Sequence, residues 1–214
     1  MMDFTENLLR YVANKTGQLQ FEFAGSRINM SEPFIKKSMF ELLEEYTSID
    51  LSKMDAADLK LFAESKSLEF INGLNYGNIL DKIFSELVQP NLIEPIFVTD
   101  YPKAISPLAK EKRDGNNDIV ERFELFIAGM EFANSFSELN DPIEQRKRFE
   151  AQAELKAYGD EEAQLVDENF LQAMEVGMPP TGGVGIGVDR LVMLLTQQKS
   201  IKDVILFPAL RQEE

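Results

Sequence analysis

ERFELFIAGMEFANSFSELNDP, residues 121–142, decides the architecture. Two runs alternating apolar and polar side chains, 121–127 and 130–139, meet at Ala128-Gly129, and a two-residue turn there predicts an antiparallel hairpin. In that register Phe126 pairs with Glu131 and Glu124 with Ala133. Strand alternation sets Glu124 and Glu131 on one face as diagonal neighbours, roughly 5–8 Å apart. Carboxylates so close on an otherwise apolar hairpin repel each other unless a cation sits between them; the alternative is a solvated outer face. Further along, Asn134, Phe136 and Glu138 recur at period two. They offer an amide and a carboxylate able to hold an α-amino group, and an aromatic wall for an aliphatic stem. The alternative is an edge strand turning polar groups to water. In a regular strand Glu131 and Asn134 face opposite sides, so a single shared site requires a bulge near Phe132-Ala133.

Downstream lies a second telling run, GGVGIGVDRL at 182–191. Glycines in a strand let another group approach the backbone, and a flat base is a reasonable occupant; a tight sheet–helix contact is the alternative. A helix is predicted to begin near Asp189, with Arg190 in its first turn, where anions are favoured and a guanidinium can stack on a base or reach a phosphate. No Gly-Lys-Ser/Thr follows, so this is not a Walker loop, and no βαβ unit opens here.

Around these runs the chain divides into three stretches. Residues 1–29 predict a helix (Phe4, Leu8, Tyr11 and Val12 at helical spacing, Gly17 as stop) and a hairpin turning at Ala24-Gly25-Ser26. Residues 30–92 read as a mostly helical insertion, with a capping box at Ser38 and Glu41 and helices over 55–67 and 78–88. Residues 93–214 carry a short strand at Ile96-Phe97-Val98 and the hairpin. A helix follows from Asp141-Pro142 to about Tyr158, then another over about 161–176, the glycine-rich run and a closing strand VILFP at 204–208.

Composition prunes the chemistry. With no Cys and no His, thiol nucleophiles, disulfides, imidazole metal sites and a Ser-His-Asp triad are excluded. Acid, base or metal chemistry must run on carboxylates, which suits an oxygen-loving cation such as magnesium. A net charge of −15 makes the chain a poor autonomous RNA binder. No apolar run approaches the roughly 18 residues of a membrane span, which points to the cytoplasm.

Taken together, ERFELFIAGMEFANSFSELNDP, GMPPTGGVGIGVDRLVMLLT (177–196), VILFPAL (204–210) and VTDYPKAISPLAKEKR (98–113) resemble class II lysyl-tRNA synthetases of the bacterial type along essentially the whole chain. GVGIGVDR is similar to that family's third signature motif. The resemblance implies an α+β fold: part of the class II antiparallel sheet, flanked by helices and carrying a helical insertion. It implies Glu124 and Glu131 as ligands of ATP-bound Mg2+. Arg190 would be the catalytic residue that packs on adenine and contacts the triphosphate, above a floor of Gly185 and Gly187. Asn134 and Glu138 would hold the α-amino group of lysine, with Phe136 along its side chain. ATP, lysine and tRNA are the partners implied, in a homodimer. The family's anticodon-binding fold and first two motifs do not precede Met1. The expectation is therefore the C-terminal portion of the catalytic domain, inactive in lysyl-adenylate formation when alone and covering its sheet edge by association. A non-catalytic nucleotide- or amino-acid-binding module, or a lysyl ligase that modifies a protein, are the competing readings.

Overall fold

The computed structural model describes residues 1–68, 75–157 and 165–207. Helix α1 (Met2–Lys15) leads through Gly17, at φ +73°, into the hairpin of β1 (Gln20–Phe23) and β2 (Ser26–Asn29). The turn residues Ala24 and Gly25 both adopt left-handed φ, which gives the hairpin its twist. The buried stripe of α1 is Thr5, Leu9 and Ala13, whereas Phe4, Leu8 and Tyr11 stay exposed. The predicted helix forms, but it docks through its smaller residues on Phe21, Phe23 and Ile28 of the hairpin.

The central sheet has the order β3-β4-β5-β6-β7: Ile35–Ser38, Ile96–Thr99, Arg122–Ile127, Met130–Ser137 and Gly182–Ile186. Every pairing is antiparallel except β3 with β4. β3 lies within the stretch read as helical and was not expected: Ile-Lys-Lys-Ser shows no alternation, and its partner is some sixty residues away. Ser38 ends β3 and caps α2 (Met39–Thr47) through the predicted capping box with Glu41. Asp55 and Asn75 cap α3 (Ala56–Ser65) and α4 (Tyr76–Ile83), and α4 continues as a π-helical turn over Phe84–Val88.

Two apolar layers sandwich the sheet. On one face Phe97, Phe123, Leu125, Phe132 and Ala133 pack with α1, the β1–β2 hairpin and Leu194 of α7 (Val188–Thr196). On the other, Ile96, Val98 and Phe126 meet the helices α2 to α4. Burying such apolar surface is the main source of stability. Asp141 accepts from Ile143 N and Glu144 N, starting α5 (Pro142–Ala157) as predicted. The helix expected over 161–176 is found as α6 (Glu168–Gly177); Tyr158 and residues 161–164 fall outside the described residues. The closing strand is not found. Ile201–Asp203 form a 3-10 turn, and Val204–Phe207 are irregular, with Leu206 and Phe207 exposed; Pro208 lies outside the described residues. Among the described residues no helix is long and apolar enough to cross a membrane.

Candidate active site

The hairpin β5–β6 turns at Ala128 and Gly129, with φ of 52° and 74°, and pairs Ile127 with Met130 and Phe126 with Glu131, as the sequence predicts. The next pair is Leu125 with Ala133. Phe132 is thus an extra residue, a bulge at the position that parity demands. It slips β6 by one, so Glu124 faces Asn134 and not the expected Ala133. Two backbone carbonyls at the bulge bond to the segment that opens α7. Glu131 O accepts from Arg190 Nη1 at 2.6 Å, and Phe132 O accepts from the backbone N–H of Gly187 at 2.9 Å. Both bonds fix the start of α7 against the hairpin.

Glu124 sits in a dense polar network. Its Oε1 accepts from Arg122 Nη2 and, at 3.1 Å, from Asn134 Nδ2; its Oε2 accepts from the Tyr101 hydroxyl at 2.8 Å. The sequence left the neutralising cation to come from outside, yet Arg122 supplies one from the chain. Glu131 is less well served, with its carboxylate 3.8 Å from Arg190 Nη1. Burial first, and the charge of Glu124 second, push the Glu131 carboxyl above its usual range against the opposing pull of Arg190 and Arg122. Among the described residues no group of three or more Asp or Glu is placed to hold a metal. Glu124 and Glu131 are the two carboxylates that could hold a divalent cation, whose charge would offset their repulsion.

The other predicted residues are distributed around this centre. Gly185 pairs with Asn134, and a Cβ on it would meet only Asn134 O at 3.8 Å, so the space above it is open. A Cβ at Gly187 would lie 3.6–3.8 Å from the stem of Arg190, so this glycine supports the arginine rather than open space. Phe136 packs against the layer formed with the helices. Glu138 stands just past the end of β6, where burial raises its carboxyl above the usual range. A Cβ at Gly183 would come within 3.0 Å of Glu138 Oε1, so glycine there makes room for the carboxylate. A cavity of about 880 Å³ lies elsewhere, lined by Phe40, Tyr76, Lys103, Lys112 and Arg148 among others, and includes none of the predicted site residues.

A model of the family "tRNA synthetases class II (D, K and N)" matches residues 1–211. The chain belongs to this family. It is 50% identical over its whole length to a lysine–tRNA ligase of Moorella thermoacetica and 48% identical to one of Carboxydothermus hydrogenoformans, covering 44% of each. A lysine–tRNA ligase of Porphyromonas gingivalis is 46% identical and covered to 37%. The chain therefore spans about two fifths of the length of these relatives. The candidate site also holds Tyr101 and Arg122, which the sequence alone did not single out. Arg122 could have been found, because it stands at period two with Glu124 on a predicted strand. Tyr101 carried no such signal: it is buried just past the end of β4, beside Asp100, whose φ is 61°.

Proposed function

We propose that this chain is the portion of an ATP-dependent lysine–tRNA ligase that holds magnesium–ATP and the α-amino end of lysine. The observation that carries the reading is Glu131: a carboxylate beside Glu124, with raised proton affinity and one distant arginine, is a charge arrangement that a cation completes. Glu124 Oε2, with one donor, retains an acceptor direction for the same cation. Magnesium bound with the phosphates would draw negative charge off their oxygens. Arg190 would contact the triphosphate and stack on adenine, with the open floor at Gly185 below the base. Asn134 Oδ1 and Glu138 would accept from the lysine ammonium, and Phe136 would line its stem. So positioned, the lysine carboxylate attacks the α-phosphorus, pyrophosphate leaves, and lysyl-adenylate passes its acyl group to tRNA. Positioning and charge neutralisation supply the catalysis, with no covalent enzyme intermediate. Groups that read the ε-amino end are proposed to lie in the part of the ligases this match does not cover, and the whole enzyme to be a cytoplasmic homodimer.

Calorimetric titration with ATP tests this. Binding that requires magnesium and disappears in the Glu124→Ala/Glu131→Ala variant is expected. Binding indifferent to both substitutions, or none by either chain, would overturn the reading for this polypeptide.

A further inference from the structure

The polar network around Glu124 is more specific than a charge pair requires. Arg122 uses all of its nitrogens: Nη2 donates to Glu124, Nε to Asn134 Oδ1 at 3.3 Å, and Nη1 to Ile105 O at 3.0 Å and Ser106 Oγ at 2.9 Å. Its guanidinium lies 4.7 Å from the centre of the Tyr101 ring, which is itself buried. Arg has donors only and a carboxylate only acceptors. The Asn134 amide between them can therefore point one way: oxygen to Arg122, NH2 to Glu124. Reversing it would oppose donor to donor and acceptor to acceptor.

We propose that Tyr101 and Arg122 are positioning residues that hold the Glu124 carboxylate in one rotamer and the Asn134 amide in one orientation before any ligand arrives. Resting on the nucleotide and lysine reading above, this assigns what faces each ligand. Glu124 Oε1 is saturated by two donors, so Oε2, steadied by the Tyr101 hydroxyl, is the oxygen left for a cation. Asn134 Oδ1 keeps one free lone pair, the acceptor an ammonium needs. The anchor extends beyond the site. Ile105, whose carbonyl holds Arg122, packs on α4, where a Cβ at Gly77 would come within 2.8 Å of Ala104 and Ile105 side-chain atoms. Glycine at 77 lets the helical layer seat the loop that seats the arginine.

Two readouts on the 214-residue chain test the proposal separately from the function it serves. The first is ligand-free: solvent exchange of the Asn134 side-chain amide, followed by NMR. Tyr101→Phe should speed it roughly ten-fold, the loss expected of one hydrogen bond to a charged group, while backbone amides of β5 and β6 keep their protection. Should loss of the hydroxyl unfold the sheet, Arg122→Lys reports instead, because it keeps the charge and loses the contact to Asn134. Unchanged Asn134 exchange in a folded variant would overturn the proposal. The second is ATP affinity in magnesium, expected to fall roughly ten-fold in Tyr101→Phe, with affinity in EDTA unmoved. An equal fall in both would mark a merely structural role and overturn the assignment of Oε2. If the unsubstituted chain binds no ATP, the functional reading fails and the amide exchange still decides the positioning.

Discussion

The two faces of the β5–β6 hairpin are built from alternate residues of the same strands and follow opposite rules. Phe123, Leu125, Ile127, Phe132 and Ala133 form a dry layer in which each side chain is replaceable by any that fills the space. Arg122, Glu124 and Asn134 form a network in which each donor has a specific acceptor, and half of the network has to be present for the other half to be tolerable. One face holds the sheet together; the other is held by it. Interleaving them makes stability and binding separable by substitution even between adjacent residues.

The largest effect is expected on the dry face. Phe97, fully buried and in edge contact with Phe123 at 5.1 Å, should cost about 3–5 kcal/mol when replaced by Ala, read from urea unfolding. A loss under about 1 kcal/mol would mean this layer is not the main core. On the polar face, Arg122→Met leaves a nearly buried carboxylate without its counter-charge, and about 2 kcal/mol of destabilisation is expected. Adding Glu124→Leu to it should restore most of that stability while abolishing magnesium-dependent ATP binding. A double variant as unstable as the single one would erase the contrast between the faces.

Two carboxylates sharpen it through pH. Arg113 first, with help from Ser137, lowers the Glu121 carboxyl from the ordinary 4.5 to about 2. Its folded form holds its charge more readily than the unfolded chain does, so its contribution is complete above about pH 4.5 and lost as pH falls toward 2. Glu121→Gln should therefore lower stability at neutral pH by about 1 kcal/mol, the exposed Arg113 being screened, and the difference should vanish in acid. Glu131 behaves in the opposite sense. Because its folded carboxyl is raised, stability should fall as pH climbs from the ordinary carboxylate value through the raised one. Glu131→Gln should remove that fall and leave the ligand-free protein slightly more stable, by under about 0.5 kcal/mol after solvent screening. A stability profile unchanged by Glu131→Gln would place Glu131 among ordinary surface carboxylates.

What could be seen beforehand follows from what is local. The hairpin turn at Ala128-Gly129, the capping box at Ser38 and the cap at Asp141 each depend on residues within a few positions of one another, and each appears as expected. Even the bulge was legible, because two polar groups of opposite parity could share a face only through an extra residue. Strand β3 was not, because Ile35–Ser38 becomes a strand only when Ile96–Thr99 lies alongside it. The apolar Val204–Phe207, read as a strand, is irregular, and no strand pairs with it among the described residues; strand-forming side chains alone do not make a strand. Tyr101 was not legible because only the fold brings it onto Glu124 from 23 residues away, whereas Arg122 stands two residues before Glu124 on the same strand.

The bulge at Phe132 shows where this geometry is stored. The bonds that anchor α7 and orient Arg190 run to main-chain oxygens at 131 and 132, which every amino acid possesses. Exchanging Phe132 for another apolar side chain leaves those oxygens in place. Deleting it takes one of those oxygens away and resets the register of β6 against β5. The spacing between Gly129 and Asn134 is a length specification rather than a spelling, so this stretch should tolerate drift in its letters far better than a change in their number.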